Sequence, residues 1–103
     1  MTRRVVWAIG AQQDIHAVAR FLAERDPDYA ARVVEEIHDA AASLATYDTG
    51  RPGRTPGTRE KPLLRRRLVM SYRMDSVAGE EVVVIVRVIH TSRDWPADRP
   101  PSP

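Results

Sequence analysis

The 103-residue chain contains no cysteine, which excludes disulfides and every thiolate metal site. It has three histidines, at positions 16, 38 and 90, and they are too widely spaced to match a metal-ligand pattern. Long apolar runs are missing as well. The longest, "VVVIV", is far too short to cross a bilayer. Arg3 and Arg4 precede only "VVWAIGA" before polar Gln12, Gln13 and Asp14, which is not the layout of a signal peptide. No GK[ST] phosphate loop is present, so nucleotide binding is not expected. Lysine is nearly absent, since only Lys61 among the 16 cationic side chains is not arginine. These absences predict a cytoplasmic protein without metal or cofactor and with no membrane contact. A chain of this length predicts one domain, because folding removes roughly 65% of the unfolded surface and supplies one core.

Basic residues are concentrated in one place. Residues 50–67, "GRPGRTPGTREKPLLRRR", hold seven arginines or lysines and the single acid Glu60. Residues 51–73 carry a net charge of +7, against −3 for residues 1–48 and −2 for residues 74–103. A segment this basic between two acidic ones creates a local positive field suited to phosphates or acidic protein surfaces. Arginine adds a planar fork able to contact either in bidentate fashion.

Periodicity gives the order of elements. Val5, Trp7 and Ile9 in "RRVVWAI" (3–9) alternate as one face of a strand. A helix over 11–25 places Ala11, Ile15, Val18 and Leu22 on one stripe. Asp26 as N-cap and Pro27 at the first helical position open a second helix reaching Thr46. Its stripe is Ala30, Val33, Val34, Ile37, Ala41 and Leu44, and the two helices form an antiparallel hairpin. Gly53 and Gly57 shape the loop that follows. "TREKPLL" is a weak strand confined to an edge by Pro62. In "RRRLVMSYRM" (65–74), Leu68, Met70, Tyr72 and Met74 share one face, leaving Arg65, Arg67 and Arg73 aligned on the other. "EVVVIVRVIH" (81–90) reads as the central strand, joined to the preceding one through "DSVAGE". The expected fold is α+β, in the order β-α-α-β-β-β, with the helical hairpin on one face of a small, mainly antiparallel sheet. The domain spans 1–96, and 97–103 form a disordered tail.

The loop "GRPGRTPGTRE", the strand "LVMSYRM" and the terminal "VVIVRVIHTSRDWP", in this order, resemble the RelE/ParE family of toxins from bacterial type II toxin–antitoxin pairs. The resemblance covers residues 3–96. It implies a cognate antitoxin as partner, in a toxin–antitoxin hetero-oligomer, and one of two activities. ParE-like members poison DNA gyrase without being catalysts, whereas RelE-like members cleave messenger RNA on the ribosome. Cleavage needs a group that moves a proton as well as cations that stabilise the phosphorane. No tyrosine follows Tyr72, so the terminal tyrosine of many ribosome-dependent members has no counterpart. The expectation therefore leans to gyrase inhibition.

If the chain is RelE-like, His90, Arg73 and Arg65 are the catalytic candidates. Target or antitoxin contacts fall to Arg54, Arg59, Lys61, Arg65, Arg67, Arg73, Arg87 and Arg93. A basic nucleic-acid-binding or adaptor module without toxicity is a further alternative. Several candidates also have plain structural readings. His90, by parity with Val82, Val84, Val86 and Val88, is also placed as a core-edge histidine. Arg87 fits either a partner contact or an internal ion pair with Glu60 or an acid of the 80–81 turn. His16 is assigned to the solvated surface, His38 to packing, and Trp95 with Pro96 to closing the sheet end.

Overall fold

The structure, a computed structural model, describes residues 3–91. The readings for Arg93, Trp95, Pro96 and the 97–103 tail lie outside the described residues. Strand β1 (Arg4–Trp7) leads into helix α1 (Ile9–Ala23) and helix α2 (Pro27–Ser43). Then come β2 (Arg51–Pro52), β3 (Arg59–Leu63), a single 3-10 turn (Leu64–Arg66), β4 (Leu68–Val77) and β5 (Glu80–His90). The five strands form one sheet in the order β1-β5-β4-β3-β2, antiparallel except where β1 runs parallel to β5. This is the expected α+β hairpin-on-sheet architecture, with the two-residue strand β2 added from what reads as loop.

Helix α2 begins where its cap requires. Asp26 accepts the Tyr29 N–H at 3.1 Å and Pro27 occupies the first turn. Its face Ala30, Val33, Ile37, Ala41 and Leu44 is buried. Helix α1 starts two residues earlier than its periodicity suggests, and Ile9 opens it at 71% exposure instead of continuing the strand. Ile15, Val18 and Leu22 still pack on the core. The other side of that core comes from Leu68, Met70 and Tyr72 of β4 with Val83, Ile85 and Val88 of β5. Each such side chain contributes about 1.5–3 kcal/mol relative to exposure.

Three features depart from the sequence reading. Strand β5 is internal, flanked by β1 and β4, but β4 occupies the middle of the sheet. The stretch 75–80 is not a loop, because β4 and β5 pair as far as Val77 and Glu80 around the Ala78-Gly79 turn. Both turn residues have positive φ (53° and 82°), the turn geometry that matches strand twist. Residues 65–67 are not strand at all. Arg65 and Arg66 lie in the 3-10 turn, and Arg67 closes it in the left-handed region at φ 55°. Arg65, Arg67 and Arg73 therefore do not form one row.

A bulge in β5 makes the fourth and most consequential departure. Ser71 pairs with Arg87 and Tyr72 with Ile85, so Val86 has no partner on β4. One extra residue exchanges the faces beyond it. Val83 and Ile85 point toward the helices before the bulge, and Val88 and His90 do so after it. His90 thus shares the face of Val88 but not that of Val82 and Val84. Strand β1 ends at Trp7 opposite Ile85, leaving the β5 edge beyond it without a neighbouring strand. Asp14 of α1 covers that edge. Its carboxylate accepts the Val88 N–H at 2.8 Å and both arms of the Arg87 guanidinium, at 2.7 and 3.0 Å. Arg87 is accordingly an internal ion pair, with Asp14 as the acid in place of Glu60 or the 80–81 turn.

Asp14→Ala strands the half-buried Val88 N–H and should lower unfolding free energy by about 1–3 kcal/mol. Asp14→Asn keeps an acceptor and should cost less, and urea denaturation of the two variants beside the wild type checks the order.

Candidate functional site

The cationic residues of 51–73 divide into those held inside the fold and those left outside it. Arg59 is held. Its Nε donates to Asp48 Oδ1 at 2.9 Å, and its terminal nitrogen donates to the Gly50 carbonyl. Asp48 Oδ1 also accepts the Tyr72 hydroxyl at 2.5 Å, and that hydroxyl accepts the Gly50 N–H at 2.9 Å. Tyr72 is wholly buried, and burial followed by the bond to Asp48 raises its pKa above the usual phenol value. The Arg59 guanidinium is raised in turn, chiefly by its hydrogen bonding to Tyr72 and against some desolvation. Gly50 is required here, because a Cβ would sit 2.2 Å from the Tyr72 oxygen. Lys61 closes the same loop by donating to Thr49 Oγ1 at 2.7 Å.

Arg66, which the sequence reading passed over, is held most firmly. It forks onto both Glu36 oxygens at 2.7 and 2.6 Å, donates to the Tyr29 hydroxyl at 3.2 Å, and stacks on the Tyr29 ring. The hydrogen bond to Arg66 holds the Glu36 carboxyl below its ordinary range, and the same bond raises Arg66. Its position three residues after Leu63, within an unbroken run of arginines, gives no periodic sign that it differs from its neighbours.

The rest is looser. Arg51 and Arg54 flank Glu60 at 3.8 Å, and the Arg54 N–H donates to it at 3.3 Å. Arg73 reaches Asp75 at 3.7 Å from the sheet face away from the helices. Exposed pairs of this length contribute little. Among the described residues, Arg65 and Arg67 make no side-chain hydrogen bond or ion pair. Gly57 takes positive φ (86°) as expected, whereas Gly53 is there for space, because a Cβ at that position would sit 2.4 Å from Thr58 Oγ1.

Two concavities border this region. A cleft of about 250 Å³ lies between the hairpin and the sheet, with Val18, Phe21, Leu22 and Val33 as apolar walls. Arg66 and His90 also line it. The second is a groove where β3 and β4 meet the 3-10 turn, lined by Arg51, Pro62, Leu64, Arg67, Val69 and Thr91. His90 is therefore beside the committed Arg66, not beside Arg65, and Arg73 points to the opposite face of β4. The catalytic trio His90, Arg73 and Arg65 is not assembled around a common cavity. His16 is exposed as expected, and His38 lies against Trp7 with ring centroids 5.2 Å apart.

Two measurements check these placements. Tyr72→Phe leaves Asp48 and the Gly50 N–H short of a partner and should cost about 1–3 kcal/mol in chemical denaturation. Glu36 has a lowered folded pKa, so its contribution is full above its unfolded value of 4.5 and disappears as pH falls through the folded value. Glu36→Gln should therefore lower the melting temperature near neutrality and remove part of the wild type's acid-side decline. A variant curve parallel to the wild type across that range would dismiss the clamp.

Comparison with known proteins agrees with this geometry. Residues 5–95 match the sequence model of the ParE toxin of the type II toxin–antitoxin system parDE. A Sinorhizobium fredii protein named "Putative toxin Y4kP" is 35% identical over 95 residues, which is 91% of this chain and 94% of the relative. The solved chromosomal ParDE system from P. aeruginosa superposes with a TM-score of 0.73, over 87% of this chain and 97% of that one, at 23% identity. The RelBE2 toxin–antitoxin complex from Mycobacterium tuberculosis gives 0.63, over 90% and 95%, also at 23%. These two likenesses concern the fold alone, and it is the match along the sequence that assigns the family. The chain is a toxin-family protein of the ParE/RelE group, belonging to the ParE toxins of type II toxin–antitoxin systems.

Proposed function

We propose that this toxin acts in the cytoplasm by inhibiting DNA gyrase, without catalysing a reaction itself, and that a cognate antitoxin neutralises it in a hetero-oligomer. Residues 1–96 constitute the toxin domain in this reading. The observation that carries it is the separation of proton-moving groups from available cations. Messenger cleavage needs a titratable group within reach of the reacting oxygen, beside a positive charge free to meet the phosphorane. The Tyr72 hydroxyl is buried and already bonded to Asp48 and Gly50. His90 lines an apolar cleft whose arginine is neutralised by Glu36. The arginines of this region that make no side-chain hydrogen bond or ion pair among the described residues, Arg65 and Arg67, are donor-only guanidinium groups that cannot serve as a general base.

An antitoxin partner is supported by the family and by the two structural relatives, a ParDE toxin–antitoxin system and the RelBE2 toxin–antitoxin complex. Acidic side chains on it would find Arg51, Arg54, Arg65 and Arg67 exposed, whereas Arg59, Lys61 and Arg87 are engaged within the chain.

Purified protein in a gyrase supercoiling assay and in a translation-coupled messenger cleavage assay separates the activities. Loss of supercoiling with intact RNA is expected. Cut messenger with normal supercoiling, abolished by His90→Ala, would replace this reading with a ribosome-dependent nuclease. Silence in both assays would remove the toxic activity itself.

A further inference from the structure

The 3-10 corner between β3 and β4 exposes Leu64, Arg65 and Arg67. Leu64 is 82% exposed, the highest of the exposed large hydrophobic residues. Arg65 and Arg67 beside it are exposed and make no side-chain hydrogen bond or ion pair among the described residues. Arg67 also holds left-handed backbone geometry (φ 55°), which a side chain resists at a cost of order 1 kcal/mol or more. The turn is fixed from both sides, since the Arg67 N–H donates to the Leu64 carbonyl at 3.2 Å and the Arg67 carbonyl accepts the Thr91 N–H at 2.7 Å. The corner is therefore a knuckle, tied by backbone hydrogen bonds on both sides, that presents Leu64 next to two arginines with no side-chain hydrogen bond or ion pair among the described residues.

The groove next to it continues the same chemistry. Pro62, Leu64 and Val69 give it an aliphatic floor, with Arg51 and Arg67 as its charged lining residues. The outer edge of β3 past Glu60 is left uncovered by β2, which pairs only with Arg59 and Glu60.

We infer that this knuckle and groove are the surface through which the toxin docks on an acidic protein face, with Leu64 entering an apolar pocket and Arg65 and Arg67 meeting carboxylates. The inference rests on the gyrase reading and specifies its contact. Complementary charge and an exposed aliphatic anchor favour protein over nucleic acid. Aliphatic side chains gain nothing against a phosphate backbone, and among the described residues the groove lining includes no aromatic on which a base would stack. Arginine is among the residues enriched at protein interfaces and their hot spots, and the exposed Leu64 beside it offers apolar area to bury.

Two variants test it, Leu64→Asp and Arg67→Gly. The second removes the guanidinium while relieving the left-handed strain, so its melting temperature should equal or exceed that of the wild type. Each is measured for inhibition of supercoiling and for binding to isolated gyrase subunits without DNA. The expected result is a loss of inhibition of about tenfold or more, matched by loss of subunit binding, with folding intact. Full inhibition by both folded variants, with the wild type active, would overturn the docking surface and leave the gyrase reading standing. A wild type that leaves supercoiling untouched would overturn that reading and the inference with it. Wild-type binding to a free DNA duplex that Arg67→Gly abolishes, with subunit binding unchanged, would assign the knuckle to nucleic acid and also overturn the proposal.

Discussion

The carboxylate of Asp14 does what a sixth strand would do elsewhere. Strand β1 is four residues long and stops at Trp7, while β5 runs on to His90. Beyond that stop the edge of β5 faces a helix, and a backbone N–H there has no ladder to join. Leaving one unsatisfied costs more than a typical hydrogen bond gains. Asp14 accepts the Val88 N–H and engages Arg87 with the same group, so the edge is sealed and the charge next to it is matched. The bulge at Val86 lies in the same stretch and sets which side chains follow. It turns Val88 onto the core and His90 onto the cleft beneath the hairpin. The composition of the cleft thus depends on one unpaired residue in one strand, held where a helix carboxylate fixes the chain beside it.

Counting charge along the chain gives a different picture from counting charge that a partner can meet. Much of the basic segment is used internally. Arg66 ties the 3-10 turn to α2 through Glu36, and Arg59 with Lys61 ties the segment after α2 to β3. A helical hairpin packed on a sheet needs such connections, because the long link from α2 to β3 contributes few apolar side chains to the core. Arginine suits the task, since its guanidinium keeps a fixed fork and remains charged when half-buried. The arginines left over sit at the turn where the backbone cannot continue as strand.

Local chemistry explains which elements were legible. Asp26 with Pro27 names its helix start outright, and the alternation Leu68, Met70, Tyr72, Met74 survives intact as the helix-facing side of β4. Helix α1 has no side-chain cap, and its first turn could not be separated from the strand before it. Alternation fails wherever one residue is added. The unbroken "VVVIV" offers no polar residue to mark the bulge at Val86, so parity counted from Val82 put His90 with Val84 when it belongs with Val88. The same limit applies to "RRR", where three identical side chains go to three different fates. Arg65 is exposed, Arg66 is clamped by an acid 30 positions away, and Arg67 turns the chain. Distance along the sequence hides such partners, as it does for Asp14 with Arg87, 73 positions apart.

What remains after the internal pairs are subtracted also constrains how the site can work. Among the described residues, the Tyr72 hydroxyl is engaged by Asp48 and Gly50, and His90 lines the cleft beneath the hairpin. The charged side chains that the 3-10 turn presents without a hydrogen bond or ion pair among those residues are guanidinium groups. A surface of that kind attracts and orients an anionic partner but has no means of transferring a proton to it. Its binding should respond to ionic strength, because exposed charges are screened within about 8 Å at physiological salt. It should be nearly indifferent to pH over the range in which histidine titrates. An RNA-cleaving site built on the same fold would show the reverse, with activity following the titration of its acid and base. The scaffold accommodates both behaviours because the core and the hairpin are independent of how the last arginines are spent.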